Sequence, residues 1–224
     1  MIPPYIHKSV FNKETISHEW NDWDPYELIA DANEDVIQAL SKLPLSGMLC
    51  FVVGCIEWVV YRCSYDDNYR LPYEYIEAFW VYLAGVEISI PEEVTEDDRW
   101  EGPLDGPINL VIGKFYTTNH TFDFGGSPVE AAFPAKVVLH VLHDPDPFLQ
   151  WQGEVLDRLN RFYASKDFTD RFKIIHKQIL NPDFDYRPEL VNSLIREMLL
   201  SIDFSSNRFL HHIEKEVLEY TDSL

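Results

Sequence analysis

The chain has 224 residues, of which 46% are hydrophobic, so it is long enough and apolar enough to bury a sizeable core. Lys and Arg total 18 against 38 Asp and Glu, a formal charge of −20. A field of that sign excludes a nucleic-acid-binding role, which needs cations to neutralise phosphates, and disfavours an anionic membrane surface for the same reason. It leaves cations and basic proteins as partners.

The N-terminal Met1-Ile2-Pro3-Pro4-Tyr5 lacks the basic and apolar regions of a signal peptide. His18, Glu19, Trp20, Asn21, Asp22, Trp23 and Asp24 follow as an acidic-aromatic cluster. Asp24-Pro25-Tyr26-Glu27 then reads as a helix start, with a capping Asp before a Pro at the first helical position. Ile29, Val36, Ile37, Leu40 and Leu43 share one face, which predicts a helix over 25–43.

Leu45 to Tyr61 is an apolar run containing Glu57 and interrupted by Ser46, Gly47 and Gly54. It falls short of the ~20 residues that span a bilayer and predicts a buried central helix. Cys50, Cys55 and Cys63 lie in or beside it, odd in number and without a CxxC spacing. They read as reduced, buried side chains suited to a reducing cytoplasm. Segments 48–63, 73–88, 107–119 and 129–143 are apolar nearly all round, where periodicity does not separate a buried helix from a buried strand. Length favours helix for the first two, and Ser127-Pro128-Val129-Glu130, a capping box, favours it for the last. The stretch 108–124 is the most strand-like. Segments 64–71 and 89–106 are the longest predicted loops.

Beyond residue 145, Asp146-Pro147 starts a helix over 149–163 on the stripe Val155, Leu156, Leu159, Phe162 and Tyr163. Phe168, Phe172, Ile175 and Ile179 predict another. Leu190, Val191, Leu194, Ile195, Met198 and Leu199 predict the next, and Phe209, Ile213, Val217 and Tyr220 the last. The expected fold is all-α, a compact multi-helix bundle of about eight or nine helices in a single domain over 1–224. The alternative is α+β with short strands near 108–124.

No motif in the chain amounts to a catalytic site. His140, His143 and Asp144 have a spacing that could ligate a metal and would centre a metal-dependent hydrolase, but Pro145 and Pro147 put them at a helix end, where His complements the dipole. In that reading Asp144 or Asp146 caps the next helix. His211 and His212 point about 100° apart on a helix and do not converge on one ion, leaving a solvated face. Gly113-Lys114 is no phosphate loop, because Ile108 and Phe115 stand where Gly and Ser or Thr are needed. Gly125-Gly126 reads as a turn. No cofactor is expected.

The polar segment 92–105 is the best candidate site. Glu92, Glu93, Glu96, Asp97, Asp98, Glu101 and Asp105 surround Trp100, and Asp66 and Asp67 in the other polar loop add to the same field. Carboxylates this dense should face solvent. Around an aromatic anchor they suit docking of a basic partner, the ring supplying buried area and the charges steering encounter. Asp22 and Asp24, with Trp20 and Trp23, form a second such patch.

Asp97-Asp98-Arg99-Trp100-Glu101-Gly102-Pro103-Leu104-Asp105-Gly106-Pro107, an apolar helix, then Leu139-His140-Val141-Leu142-His143-Asp144-Pro145 and a helix with Trp151 resemble helical proteins encoded beside bacterial secreted toxins. These are the polymorphic-toxin immunity proteins. The resemblance spans residues 95–165 and carries no binding residue over. It implies a cytoplasmic, non-enzymatic bacterial inhibitor of a basic toxin or effector domain.

Overall fold

The computed structural model describes residues 2–11, 18–29, 31–64, 70–89, 101–165 and 171–224. Within them the protein is all-helical, with eight α-helices joined by 3-10 turns and no strand. These are α1 (Glu34–Leu40), α2 (Leu45–Cys63), α3 (Leu71–Leu83), α4 (Gly102–His120), α5 (Ser127–Val141), α6 (Asp146–Tyr163), α7 (Val191–Leu200) and α8 (Glu214–Ser223).

Helix α2 is the axle. It has the length and hydropathy of a membrane span, yet 94% of its apolar window is buried inside the molecule. Helices α3, α4, α5 and α6 pack around it, and α1 lies across α5 and α6. Close approach to α6 depends on Gly54, where a Cβ would stand 2.8 Å from Trp151 Cη2 and 3.0 Å from Leu180 Cδ1. Trp151 stacks on Phe51 and Tyr5 and packs against Trp58 and Phe148, filling the joint with rings. All three cysteines are buried free thiols, and burial pushes each thiol up.

The strand-like stretch 108–124 is helical through His120. Ile108, Val111, Ile112 and Phe115 are buried at helical spacing, whereas Asn109, Gly113 and Thr117 line the outer side. The loop expected over 89–106 ends early, because α4 already begins at Gly102, a glycine in the left-handed region at φ 81°. Likewise the helix expected over 73–88 stops at Leu83. Gly85, at φ 96°, terminates it, and a Cβ there would meet Ile174 and the Tyr220 hydroxyl at 2.8 Å. The freed carbonyls find tertiary donors: Ile175 N–H on Leu83 and the Tyr220 hydroxyl on Ala84.

Three further expectations are corrected. The helix over 25–43 is two pieces, a 3-10 turn at Pro25–Glu27 and α1. Asp24 does cap the first, but Asn33 takes the Asp35 N–H at 2.8 Å and starts a new helix inside the stripe. The helix expected on Phe168, Phe172, Ile175 and Ile179 is absent from the described part of that stretch. Residues 171–176 are non-helical and a 3-10 turn follows at Lys177–Leu180. There the Lys173 and Ile175 N–H groups bond Ser46 Oγ and Leu83 O instead of carbonyls of their own segment, and Ile175 and Ile179 still reach the core. The last stripe is helical only from Glu214. Buried Asn207 holds the chain before it in turns, donating to Glu74 O and Glu77 Oε2 and accepting from Phe209 N. His211 and His212 accordingly sit on an exposed turn, not a helix face.

The capping box at Ser127 does not form either. Gly126 occupies the cap position, the Ser127 hydroxyl donates to Thr118 O, and Glu130 pairs with Lys114 at 2.8 Å. Both side chains tie α5 to α4. Gly125 makes the turn between them at φ 75°, as the Gly-Gly pair predicts.

Candidate acidic-aromatic docking face

Residues 18–27 lie over the N-terminal end of α4 and the C-terminal end of α5, and the Gly-Pro pattern at the start of α4 is what receives them. Pro107 has no N–H to give the Pro103 carbonyl one helical turn back, so that carbonyl is free. His18 Nε2 takes it at 2.6 Å. One residue earlier, Gly106 leaves the space that the Trp20 indole fills; a Cβ there would lie 2.0 Å from Trp20 Nε1. Asp22 completes the attachment. Its Oδ1 accepts from Trp20 Nε1 at 3.0 Å and from Gly102 N at 2.8 Å, so a carboxylate sits at the positive end of α4.

His140 belongs to this joint. Its Nε2 bonds the Glu19 carbonyl at 2.7 Å, and its ring lies 5.6 Å from His18 and 6.3 Å from Trp20. Burial holds the His18 imidazole below its ordinary value despite the Pro103 bond, and nearby His140 and Arg62 push the same way. His143 and Asp144 are exposed in the connector after α5, where Asp144 Oδ1 accepts the Asp146 N–H that opens α6. Among the described residues no three His, Cys, Asp or Glu side chains gather in a way that could hold a metal ion.

The joint presents Trp23 outward. Asn21 Oδ1 accepts from the N–H groups of Trp23 at 3.1 Å and Asp24 at 3.4 Å, and Asp24 Oδ1 accepts from Glu27 N at 3.2 Å. This pins a tight turn whose tip is Trp23, 98% exposed between Asp22 and Asp24. Beside it, Asp22, Trp23, Glu101 and Asn109 line an open hollow of about 420 Å³. A second hollow, of about 310 Å³, continues along α4 past Gly106, Asn109, Gly113 and Thr117 to Tyr26 and Lys114. Lys114 leaves little positive field there. It is 8% exposed, paired with Glu130, and its ammonium stands 5.2 and 4.6 Å from the Tyr26 and Phe133 ring centres.

Of the residues expected to dock a partner, Glu92, Glu93, Glu96, Asp97, Asp98, Trp100, Asp66 and Asp67 lie outside the described residues. Glu101 is exposed and faces the hollow beside Trp23. Asp105 departs from the solvent-facing expectation. It is half-buried, its Oδ1 has no hydrogen-bond partner among the described residues, and burial raises its carboxyl. The Trp23 patch, secondary in the sequence, is thus the better-defined surface.

No family model, no curated protein and no solved structure matches the chain.

Proposed function

We propose that this chain is a binding protein of the immunity or inhibitor class, which neutralises a basic toxin or effector domain by docking it on the Trp23 face. The observation that carries the reading is Trp23 itself. A side chain of that size, held on a hydrogen-bonded turn and left 98% exposed, loses apolar contact in the free protein and gains it only against a partner. Its rigid placement lowers the ordering cost of association. The flanking Asp22, Asp24 and Glu101, within a −20 molecule, supply attraction for a basic surface and speed its encounter. The resemblance over 95–165 supports the same class. Inhibition would be steric, with carboxylates standing in for phosphates where the target is a nuclease.

The test is titration of the purified chain against the toxin domain encoded by the neighbouring gene. A complex should form at low ionic strength and weaken as salt rises, chiefly through the association rate. Trp23→Ala should weaken it by about 30-fold or more, the scale of an interface hot spot. D22N/D24N should slow association while preserving the acceptor oxygens that cap the turn and α4. Absence of a complex at low salt, or full affinity in Trp23→Ala, would overturn the reading.

A further inference from the structure

A third cavity, of about 430 Å³, shares no lining residue with the two hollows of the Trp23 face. It opens between the N-terminal segment, α2, α3, the 3-10 turn after α6, and the end of α7. Tyr5, Tyr61, Tyr73 and Trp80 give it aromatic walls, and Ile76, Met198 and Ile202 make the rest apolar. At its inner side stands Glu57, the one acid in the apolar run of α2, 4% exposed. Glu57 Oε1 accepts from Trp80 Nε1 at 2.9 Å. Its Oε2 is buried with no hydrogen-bond partner among the described residues, and so is the hydroxyl of Tyr5, which lines the same cavity. Two orphaned polar atoms on side chains that line one hollow are costly unless something there satisfies them.

The charged and titratable groups around the cavity are few. Glu57 and Tyr61 come from α2, Tyr73 and Glu77 from α3, Tyr5 from the N-terminal segment and Lys177 from the 3-10 turn; α7 contributes none. Glu77 is engaged by Asn207 Nδ2 at 2.9 Å. Lys177 is exposed, and among the described residues no cation forms a salt bridge with Glu57. With Glu57 ionised the cavity is one negative charge in excess. A buried carboxylate among π-faces is the chemistry that recognises an ammonium on an apolar stem, the rings attracting the cation through their quadrupoles.

We propose that this cavity binds a monocationic alkylammonium group, with Glu57 Oε2 and the Tyr5 hydroxyl as its hydrogen-bond acceptors and Tyr61, Tyr73 and Trp80 as its walls. The group belongs either to a free amine or to a lysine side chain of a peptide. Burial pushes the Glu57 carboxyl up to about 7, against the opposing pull of the Trp80 hydrogen bond and of Lys177. Binding a cation therefore ionises Glu57, and below neutral pH it releases the carboxyl proton to the buffer.

The experiment is calorimetric titration of the full chain with n-butylammonium, 1-butanol and butyrate, in buffers of different ionisation enthalpy. Butylammonium should bind and the other two should not. Its affinity should rise about tenfold per pH unit between pH 5 and 6 and level off by pH 8, with about one proton released at pH 6. Glu57→Gln, which keeps the oxygen that Trp80 needs, should abolish binding with the circular dichroism spectrum unchanged. Tyr5→Phe should weaken binding and leave its pH profile in place. A lysine-containing peptide binding tenfold or more above butylammonium identifies a protein side chain as the source; equal or weaker binding identifies a free amine. Butanol binding as tightly as butylammonium, or undiminished binding in Glu57→Gln, overturns the assignment. Trp23→Ala should change none of these results, so this site and the docking face fail or stand separately.

Discussion

Replacing Glu57 by Gln should remove a pH-dependent cost from the core. Burial lifts the carboxyl from its ordinary 4.5 to about 7. The folded state therefore holds the proton more tightly than the unfolded state. The favourable contribution of protonated Glu57 is complete below 4.5, is lost as pH rises through about 7, and is gone above it. A lift of that size is worth about 3 kcal/mol once titration is complete, of which about 2–3 kcal/mol develops between pH 5 and pH 8. Gln is nearly isosteric, keeps an acceptor for Trp80 Nε1, and does not ionise. The amide adds an offset of its own, since its N–H₂ needs acceptors, but that offset does not vary with pH. The measurable quantity is the gap between wild type and variant in urea or thermal denaturation from pH 5 to pH 8, because every other titrating group is common to both. In thermal terms the gap should widen in favour of Gln by roughly 5–10 °C for a chain of this length. A gap that stays flat across that range would mean that Glu57 is solvated or ion-paired in the folded state, and would remove the electrostatic basis of the alkylammonium site with it.

Other substitutions probe the joints. Gly106→Ala should evict the Trp20 indole, since its Cβ would lie 2.0 Å from Nε1; limited proteolysis should then cut within residues 18–29 while the helical signal persists. Gly54→Ala should destabilise by about 1–3 kcal/mol despite a better helix former, because the α2–α6 joint must widen around Trp151, and near-ultraviolet circular dichroism should change with it. Asn207→Ala should cost roughly 2–4 kcal/mol in chemical denaturation, since it removes the bonds to Glu74 O and Glu77 and leaves the Phe209 N–H without its acceptor around a buried hole.

Much of this architecture is legible from apolar spacing, and the exceptions share a physical cause. α6 and α7 lie close to where their stripes put them, because core burial and helical hydrogen bonding agree there; α2 and α5, apolar nearly all round, have no stripe, and only length marks α2. In 171–180 the same i, i+4 spacing is satisfied by a chain whose backbone groups bond Ser46 and Leu83, and periodicity does not register tertiary partners. In 25–43 the stripe is real, but Asn33 competes for the backbone in its middle, a signal present in the sequence and outweighed by the pattern. Ser127 and Glu130 have the spacing of a capping box and use their side chains across helices instead. For α4, the spacing of Asn109, Gly113 and Thr117 marks a helix with one polar face and separates the all-α expectation from its strand alternative.

The candidate sites divide in the same way. Trp23 and its flanking acids are contiguous, so their clustering is visible in the chain, but that the ring points wholly outward follows only from the Asn21 turn. Glu57 stands out in the sequence merely as a blemish in an apolar run. The walls of its cavity come from Tyr5, Trp80, Lys177 and Met198, which only folding assembles. His140 has the spacing of a ligand and the geometry of a strut, bonded to a backbone carbonyl 121 residues away.

The burial of α2 has a consequence for biosynthesis. Cys63 ends an apolar helix whose main cover, α3, α4 and α5, is complete only at Val141, about eighty residues later. At a synthesis rate of ~5–20 residues per second, the greasiest segment of the protein waits roughly 4–16 seconds for most of its cover. During that interval it has the hydropathy of a membrane span and no tertiary context to distinguish it from one. Its yield should therefore depend on translation speed through residues 64–141 more than on the stability of the finished fold.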